Sequence, residues 1–257
     1  MADKLLENKK LVRDLTVTCY EVDMKKRLRP SAFMDYAQDI AYSAAQTLHF
    51  GYDDMGKYGC AWVISRLHFH YLKVPHWRDE LSLRTWAKGT EGPFFLRDFE
   101  ILGKDGGRMV VGTSNWIVLD SNARKMARDP NAYGLISPEY ICAESAIDEV
   151  CGKVMMPHGV QPEVVGTHVV GYNDVDFIGH TNNSRYMAWA MNAVDYADTL
   201  EMDIRDVRIG FNHETHDGDL VTIRRVIEQT QKGRRYCLEG QVEGKTSFVA
   251  LIELERN

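Results

Sequence analysis

The sequence predicts an α+β fold in which one antiparallel sheet and one long helix are built twice along the chain. In each half, a single long helical segment is followed by a series of strand-like runs, which is not the strict alternation of a parallel doubly wound fold. The order strand, helix, four strands then occurs a second time. Matched residues also recur at near-constant spacing. Asp23 precedes Ser31 by eight residues, as Asp176 precedes Ser184, an offset of 153. Leu67, Phe69, Asp79, Leu81 and Leu83 match Val207, Ile209, Asp219, Val221 and Ile223 at an offset of 140. A longer helix and loop in the first half absorb the difference. Two matches in the same order mark an internal duplication of one β-α-β-β-β-β unit.

Taken in order, residues 1–15 read as a short frayed arm, and LTVTCYEV (15–22) as a strand by its alternation and β-branched content. SAFMDYAQDIAYSAAQTL begins a helix at Ser31 that runs to about Leu48, with Phe33, Tyr36, Ala37 and Ile40 on one face. Four strands follow, within CAWVISRLHFHY, LSLRTW, PFFLRDFEIL and MVVGTSNWIVL, the last two separated by the turn KDGG. Residues 120–162 carry four prolines and weak periodicity, the pattern of a connection, with YICAESAIDEV as a candidate helix. GTHVVG opens the second unit, a helix spans about 183–197, and four strand runs cover 206–214, 219–229, 235–243 and 246–255. The predicted organisation is a first domain over 1–135, a connecting segment over 136–162 and a second domain over 163–257.

Composition excludes several classes. With 44% hydrophobic and 26% charged residues the chain is an ordinary globular protein. A net charge of −6 argues against general nucleic-acid binding. Five scattered cysteines without a C-x-x-C pair predict free thiols in a reducing compartment, cytoplasmic by default. No apolar stretch is long enough for a membrane span. There is no G-x-G-x-x-G and no P-loop. The His68/His70 and His213/His216 pairs lack a third clustered ligand, so no metal site is expected.

The candidate site lies in YNDVDFIGHTNNSRYMAWAMNAV (172–194). Asn182, Asn183 and Ser184 are N-cap residues ahead of an apolar helical pattern, and a helix N-terminus offers free N–H groups to an oxyanion. Asp176 and His180 lie just upstream, and Glu214 ends a strand predicted to neighbour that helix. A lone loop histidine is usually only solvated. The repeat is what sets this one apart: Asp176, Ile178, His180 and Glu214 correspond to Asp23, Lys25, Arg27 and Val74. A polar cluster kept in one copy of a duplicated unit points to chemistry, with Asp176 orienting His180 and Glu214 acting as a base toward water.

The stretches AWVISRLHFHYLKVPHWRDELSLRTW, LRDFEI and TSNWIVLD in the first half, and DVDFIGHTNNSRYMAW and FNHETHDGD in the second, resemble the acyl-[acyl carrier protein] thioesterases. The likeness spans nearly the whole chain. It implies a tandem (double) hot-dog fold, two curved antiparallel sheets that each wrap a long helix and pair edge to edge. It also implies hydrolysis of fatty acyl thioesters on an acyl carrier protein, without metal or organic cofactor. The family's aspartate, histidine and glutamate fall on Asp176, His180 and Glu214. The asparagine usual between the first two is Ile178 here, and the position after the glutamate, a cysteine in many plant members, is Thr215. On this reading Met34, Tyr36 and Ile40 line the acyl tunnel, and Asn182 and Asn183 present N–H groups to the thioester carbonyl. The basic runs Lys25, Lys26, Arg27, Arg29 and Lys232, Arg234, Arg235 are candidate docking sites for the acidic carrier protein. A thioesterase for coenzyme A esters and, because of Ile178, a non-catalytic acyl binder stay open as alternatives, as do monomer and homodimer.

Overall fold

A computed structural model describes residues 3–127 and 138–256; the expected boundary at 135–136 lies outside the described residues. The first half comprises β1 (Lys4–Leu5), β2 (Leu11–Thr16), α1 (Pro30–Thr47), α2 (Tyr52–Lys57), β3 (Cys60–Tyr71), β4 (Glu80–Glu91), β5 (Phe94–Gly103), β6 (Arg108–Asp120) and β7 (Lys125–Met126). The second half comprises β8 (Glu163–Val169), α3 (Asn183–Asn192), α4 (Tyr196–Glu201), β9 (Asp203–Phe211), β10 (Leu220–Gln229), β11 (Gly233–Val242) and β12 (Lys245–Glu255).

The strands pair in the order β1-β2-β4-β5-β6-β3-β9-β12-β11-β10-β8, with β7 on β6. The two sheets thus join edge to edge through β3 and β9, where Leu67 faces Ile209 and His68 faces Arg208. The join closes edges that a lone unit would leave open. Arg208 is the repeat counterpart of His68, so the junction lies on the pseudo-twofold relation between the halves. Across it His68 Nε2 lies 2.7 Å from Asp206 Oδ2, both groups buried.

α1 starts with Pro30 at its first position, where a missing N–H costs nothing. Phe33, Ala37, Ile40 and Ala44 form its inner stripe. α3 contributes Tyr186, Trp189 and Ala190. Both helices belong to one continuous apolar core shared by the two halves, a geometry that ties their folding together. No helix among the described residues is long and apolar enough to cross a membrane.

The duplication extends to individual backbone hydrogen bonds. Asp23 N–H donates to Arg27 O at 2.9 Å, and Asp176 N–H to His180 O at 2.9 Å. Leu28 N–H donates to Pro75 O at 2.8 Å, and Thr181 N–H to Thr215 O at 3.0 Å. Val17 N–H reaches Asp79 O as Val170 N–H reaches Asp219 O. Even the left-handed turn position recurs, as Lys26 (φ 63°) and Gly179 (φ 92°); glycine adopts it without strain, whereas Lys26 does so against its Cβ.

Three expectations are corrected. From Asp3 onward the N-terminal arm is not frayed: Leu11 is buried and Arg13 forks onto Asp3. The second helix is split, because α3 stops at Asn192 and α4 restarts at Tyr196. The connecting segment is not helical after the single turn at Pro138–Tyr140. Its backbone is satisfied by the outer sheet face instead, with Ala146 N–H on Asp98 Oδ2 (2.8 Å), Trp86 Nε1–H on Glu144 O (2.8 Å) and Cys142 N–H on Ala87 O (2.9 Å).

Candidate active site

The loop before α3 is a tight hairpin. Val175 and Thr181 bridge its ends, and Asp176 Oδ1 accepts the Ile178 N–H at 2.9 Å. Asn182 then caps α3, its side chain accepting the Ser184 N–H at 3.0 Å. Gln38 of α1 donates to the same Asn182 oxygen at 2.9 Å. This bond locks the second-half loop against the first-half helix.

Below the hairpin, a buried hydroxyl network fixes the 214–216 segment. Thr215 Oγ1 lies 2.6 Å from Thr181 Oγ1 and 3.0 Å from Tyr186 Oη, which also accepts the Thr215 N–H at 3.0 Å. Thr215 is fully buried. Since side chains of an extended segment alternate, pinning Thr215 inward turns Glu214 and His216 outward together. Thr215, at the position many plant members fill with cysteine, is here a structural pin.

Outside, Glu214 is the hub. Its Oε2 lies 3.3 Å from His180 Nδ1, its Oε1 accepts from the Arg124 guanidinium, and His216 Nε2 lies 3.9 Å from Oε1. The His180 and His216 rings meet edge to face at 5.0 Å between centroids. A proton on His180 Nδ1 donates to the carboxylate and leaves Nε2 as a free acceptor. His180 and Glu214 are therefore brought together as expected. Asp176 is not the residue that orients His180, however. Its carboxylate is held by the backbone of its own turn, and Glu214 takes the orienting place.

Asp176 instead lines the mouth of a cavity of about 740 Å³, with Ile178, Asn182 and Asn183 beside it. The cavity runs between α1 and the first-half sheet, past Ala41, Ala45 and Trp62, to Phe50, Phe95 and Trp116. Its size and mainly apolar walls suit a ligand with a long hydrocarbon part. Met34, Tyr36 and Ile40 do not line it. Met34 and Ile40 are buried in the main core, and Tyr36 packs against that core, its phenol raised well above its ordinary pKa by burial and by Glu21. The cavity takes the other face of α1, the one bearing Gln38, Ala41, Tyr42 and Ala45.

Four site residues carried no usable signal in the sequence. Gln38 and Arg124 belong to the other half of the chain, Arg124 lying ninety positions from its partner Glu214. His216 was visible only as one of an isolated pair. Arg97 on β5 lines the cavity while almost fully buried, donates to Thr85 Oγ1 at 3.3 Å, and is brought down to about 10 by burial. The proposed docking clusters fare differently. Arg27 is buried, Arg234 is paired with Asp198, and Arg235 with Glu253 and Glu228. Those three guanidiniums are engaged within the fold.

Two sheets joined at one strand pair, each with a helix packed on its inner face, define a double hot-dog protein. Residues 8–133 match the acyl-ACP thioesterase N-terminal domain and residues 161–255 the acyl-ACP thioesterase C-terminal domain. The chain belongs to the acyl-ACP thioesterase family. It is 21% identical over 228 residues to an oleoyl-acyl carrier protein thioesterase, chloroplastic, of Coriandrum sativum, covering 80% of this chain and 59% of that one. The fold is that of an acyl-ACP thioesterase from Bacteroides thetaiotaomicron (TM-score 0.86, 22% identity, 97% of this chain and 99% of that one). It is also that of the 12:0-ACP thioesterase from Umbellularia californica (TM-score 0.87, 20% identity, 98% and 99%). The chain spans about half the length of the curated relatives it matches.

Proposed function

We propose that this protein hydrolyses fatty acyl thioesters carried on acyl carrier protein, releasing free fatty acid and the carrier thiol. One observation carries the reading: the loop that holds His180 also lines, through Asp176, Ile178, Asn182 and Asn183, the mouth of the apolar cavity. An acyl chain seated there has its thioester at the hairpin. Family membership supplies the carrier-bound substrate. On this reading the first half forms most of the pocket wall, with Asp176, Phe177, Ile178, Asn182 and Asn183 of the second half completing it, and the second half carries His180 and Glu214.

In this mechanism His180 Nε2 accepts a proton from water, and the water oxygen attacks the thioester carbon. Glu214, steadied by Arg124, holds the opposite ring nitrogen. Asn182 spends its side chain and carbonyl on the Ser184 and Arg185 N–H groups. Asn183, next along and at the cavity mouth, offers N–H groups to the developing oxyanion. The C–S bond then breaks and the imidazolium returns its proton to the sulfur. The thiols, four of the five buried, support a reducing, cytoplasmic setting.

The test offers acyl carrier protein loaded with a long acyl chain to wild type, His180→Ala and Glu214→Gln. Free fatty acid from wild type, reduced about 10²–10⁴-fold in His180→Ala, is the expected result. No fatty acid from wild type overturns the reading. Equal activity in all three proteins overturns the site. Faster turnover of the matching coenzyme A ester reassigns the substrate.

A further inference from the structure

His180, Glu214 and His216 do more than form an orienting pair with a neighbour. One ligand atom from each lies within 4.8 Å of the other two. The set is two imidazoles and one carboxylate, a combination that suits zinc, whereas magnesium and calcium favour all-oxygen sites. Zinc bonds of about 2.0–2.2 Å place tetrahedral ligands roughly 3.4 Å apart. His180 Nδ1 and Glu214 Oε2 already meet that spacing at 3.3 Å. The remaining closure falls to His216, whose side chain is half exposed at 51% and whose ring already meets that of His180 at 5.0 Å.

The surroundings are built for such a site. Thr215 anchors the segment that carries two of the ligands, through Thr181 and Tyr186. The His216 N–H is fixed on Asp219 Oδ2 at 2.8 Å. Arg124 holds Oε1 and leaves Oε2 to the ion, the outer hydrogen bond that metal-binding carboxylates commonly have. The first half provides an internal contrast, because the matching positions are Arg27, Val74 and His76, and His76 Nδ1 lies 2.8 Å from the Val74 carbonyl oxygen. Duplication alone does not produce the cluster.

We propose that His180, Glu214 and His216 bind one zinc ion, with a water in the fourth position, and that the bound ion silences the hydrolytic site. A neutral imidazole that ligates zinc through Nδ1 carries its proton on Nε2, so binding occupies the nitrogen that takes the proton from water, and it also takes the Glu214 oxygen that orients the ring. The silencing, but not the binding, rests on the function proposed above.

The full chain, freed of metal by chelation, is titrated with zinc against a chromophoric chelator. One equivalent per chain is expected at micromolar affinity, weakened at least tenfold in His216→Ala. A His49→Ala control, altered outside the cluster, binds as wild type does. Absence of a stoichiometric equivalent in wild type, or unchanged affinity in His216→Ala with an unchanged melting temperature, overturns the site. In the hydrolysis assay, zinc is expected to lower the wild-type rate at least tenfold. His216→Ala, compared with its own chelator-treated rate, is expected to resist. Acceleration by zinc overturns the silencing. If no protein hydrolyses the thioester, the proposed function fails while the titration still decides the metal site.

Discussion

Arg27 and His180 occupy the same place in two copies of one hydrogen-bonded loop and have been put to opposite uses. Arg27 is buried, forks onto Asp23 (2.6 and 2.8 Å), and reaches across to Asp203, Met202 O and Thr199 O in the second half. His180 is partly exposed and, among the carboxylates of the described residues, pairs with Glu214. Removing Arg27 strands partly buried acids and carbonyls, so Arg27→Ala is expected to cost about 3–5 kcal/mol. His180→Ala is expected to change stability by less than about 0.5 kcal/mol while abolishing most hydrolysis. Denaturant unfolding of the two variants, with activity normalised to folded protein, checks the contrast.

On the proposed function, chain length is set by a different face of α1 from the one its hydrophobic periodicity marks, the face that lines the cavity. Ala45→Leu adds volume inside the cavity and is expected to shift preference toward shorter acyl chains. Ile40→Val, in the core, is expected to cost about 0.5–1.5 kcal/mol with preference unchanged. A panel of acyl carrier proteins of graded chain length, together with thermal melts, distinguishes them.

Ile178 sits at the cavity mouth, about half exposed, with its N–H on Asp176. An asparagine there supplies an amide without disturbing that backbone bond. Ile178→Asn is expected to raise kcat roughly tenfold, the value of one hydrogen bond made in the transition state. An unchanged or lower kcat shows that the hairpin does its work without an amide at this position.

Burial works to raise the Asp206 carboxyl, but the hydrogen bond from His68, helped by Arg208, outweighs it and holds the group below its usual range. The native state therefore binds fewer protons than the unfolded chain as pH falls through the carboxylate region. The resulting stability is fully present above about pH 4 and is lost as pH drops through the folded value. Asp206→Asn is expected to cost about 2–3 kcal/mol at pH 7, and the gap to wild type is expected to close toward about pH 2. Urea titrations at several pH values measure it.

Thiol chemistry gives a test of the packing. Burial pushes the Cys151 and Cys237 thiols up to about 12, and Cys60 and Cys142 are also buried, whereas Cys19 is exposed. An aromatic disulfide reagent at pH 8 is expected to label Cys19 alone in the native protein and all five cysteines after denaturation. Rapid labelling of a second thiol in the native protein contradicts the buried positions.

The duplicated fold was legible because each copy needs the same turn chemistry at the same spacing: Asp23 and Asp176 both cap their hairpins, and the carbonyls of Asp79 and Asp219 accept from Val17 and Val170, the residues that lead into the hairpin of the same half. The cluster of His180 with Glu214 was legible for the converse reason, as a departure from the repeat. The cavity was not. Hydrophobic periodicity marks the side of a helix that packs, so it singled out Met34 and Ile40, whereas a wall facing empty space is built of Ala41, Ala45 and polar residues that look like a solvated face. Asp176 was expected to contact His180, whereas its carboxylate accepts the Ile178 N–H, because a carboxylate four residues from a histidine serves its own turn equally well. Arg124 and Gln38 were invisible because only the joined sheets bring them near the hairpin. The connector resembled a helix by composition, and its hydrogen bonds to the sheet decided otherwise.

The β3–β9 pairing places both copies in one polypeptide, and this has a consequence for how the site could diversify. In a symmetric dimer of single units, each substitution is made at both related positions, so a change that helps one position burdens the other. Fusion removes that obligation. One hairpin was free to become a fastener and the other to stay open to water, beside a cavity walled mainly by the first half and completed by the second. The asymmetry between Arg27 and His180 is a privilege of the covalent link: an identical pair of separate chains could not inherit it.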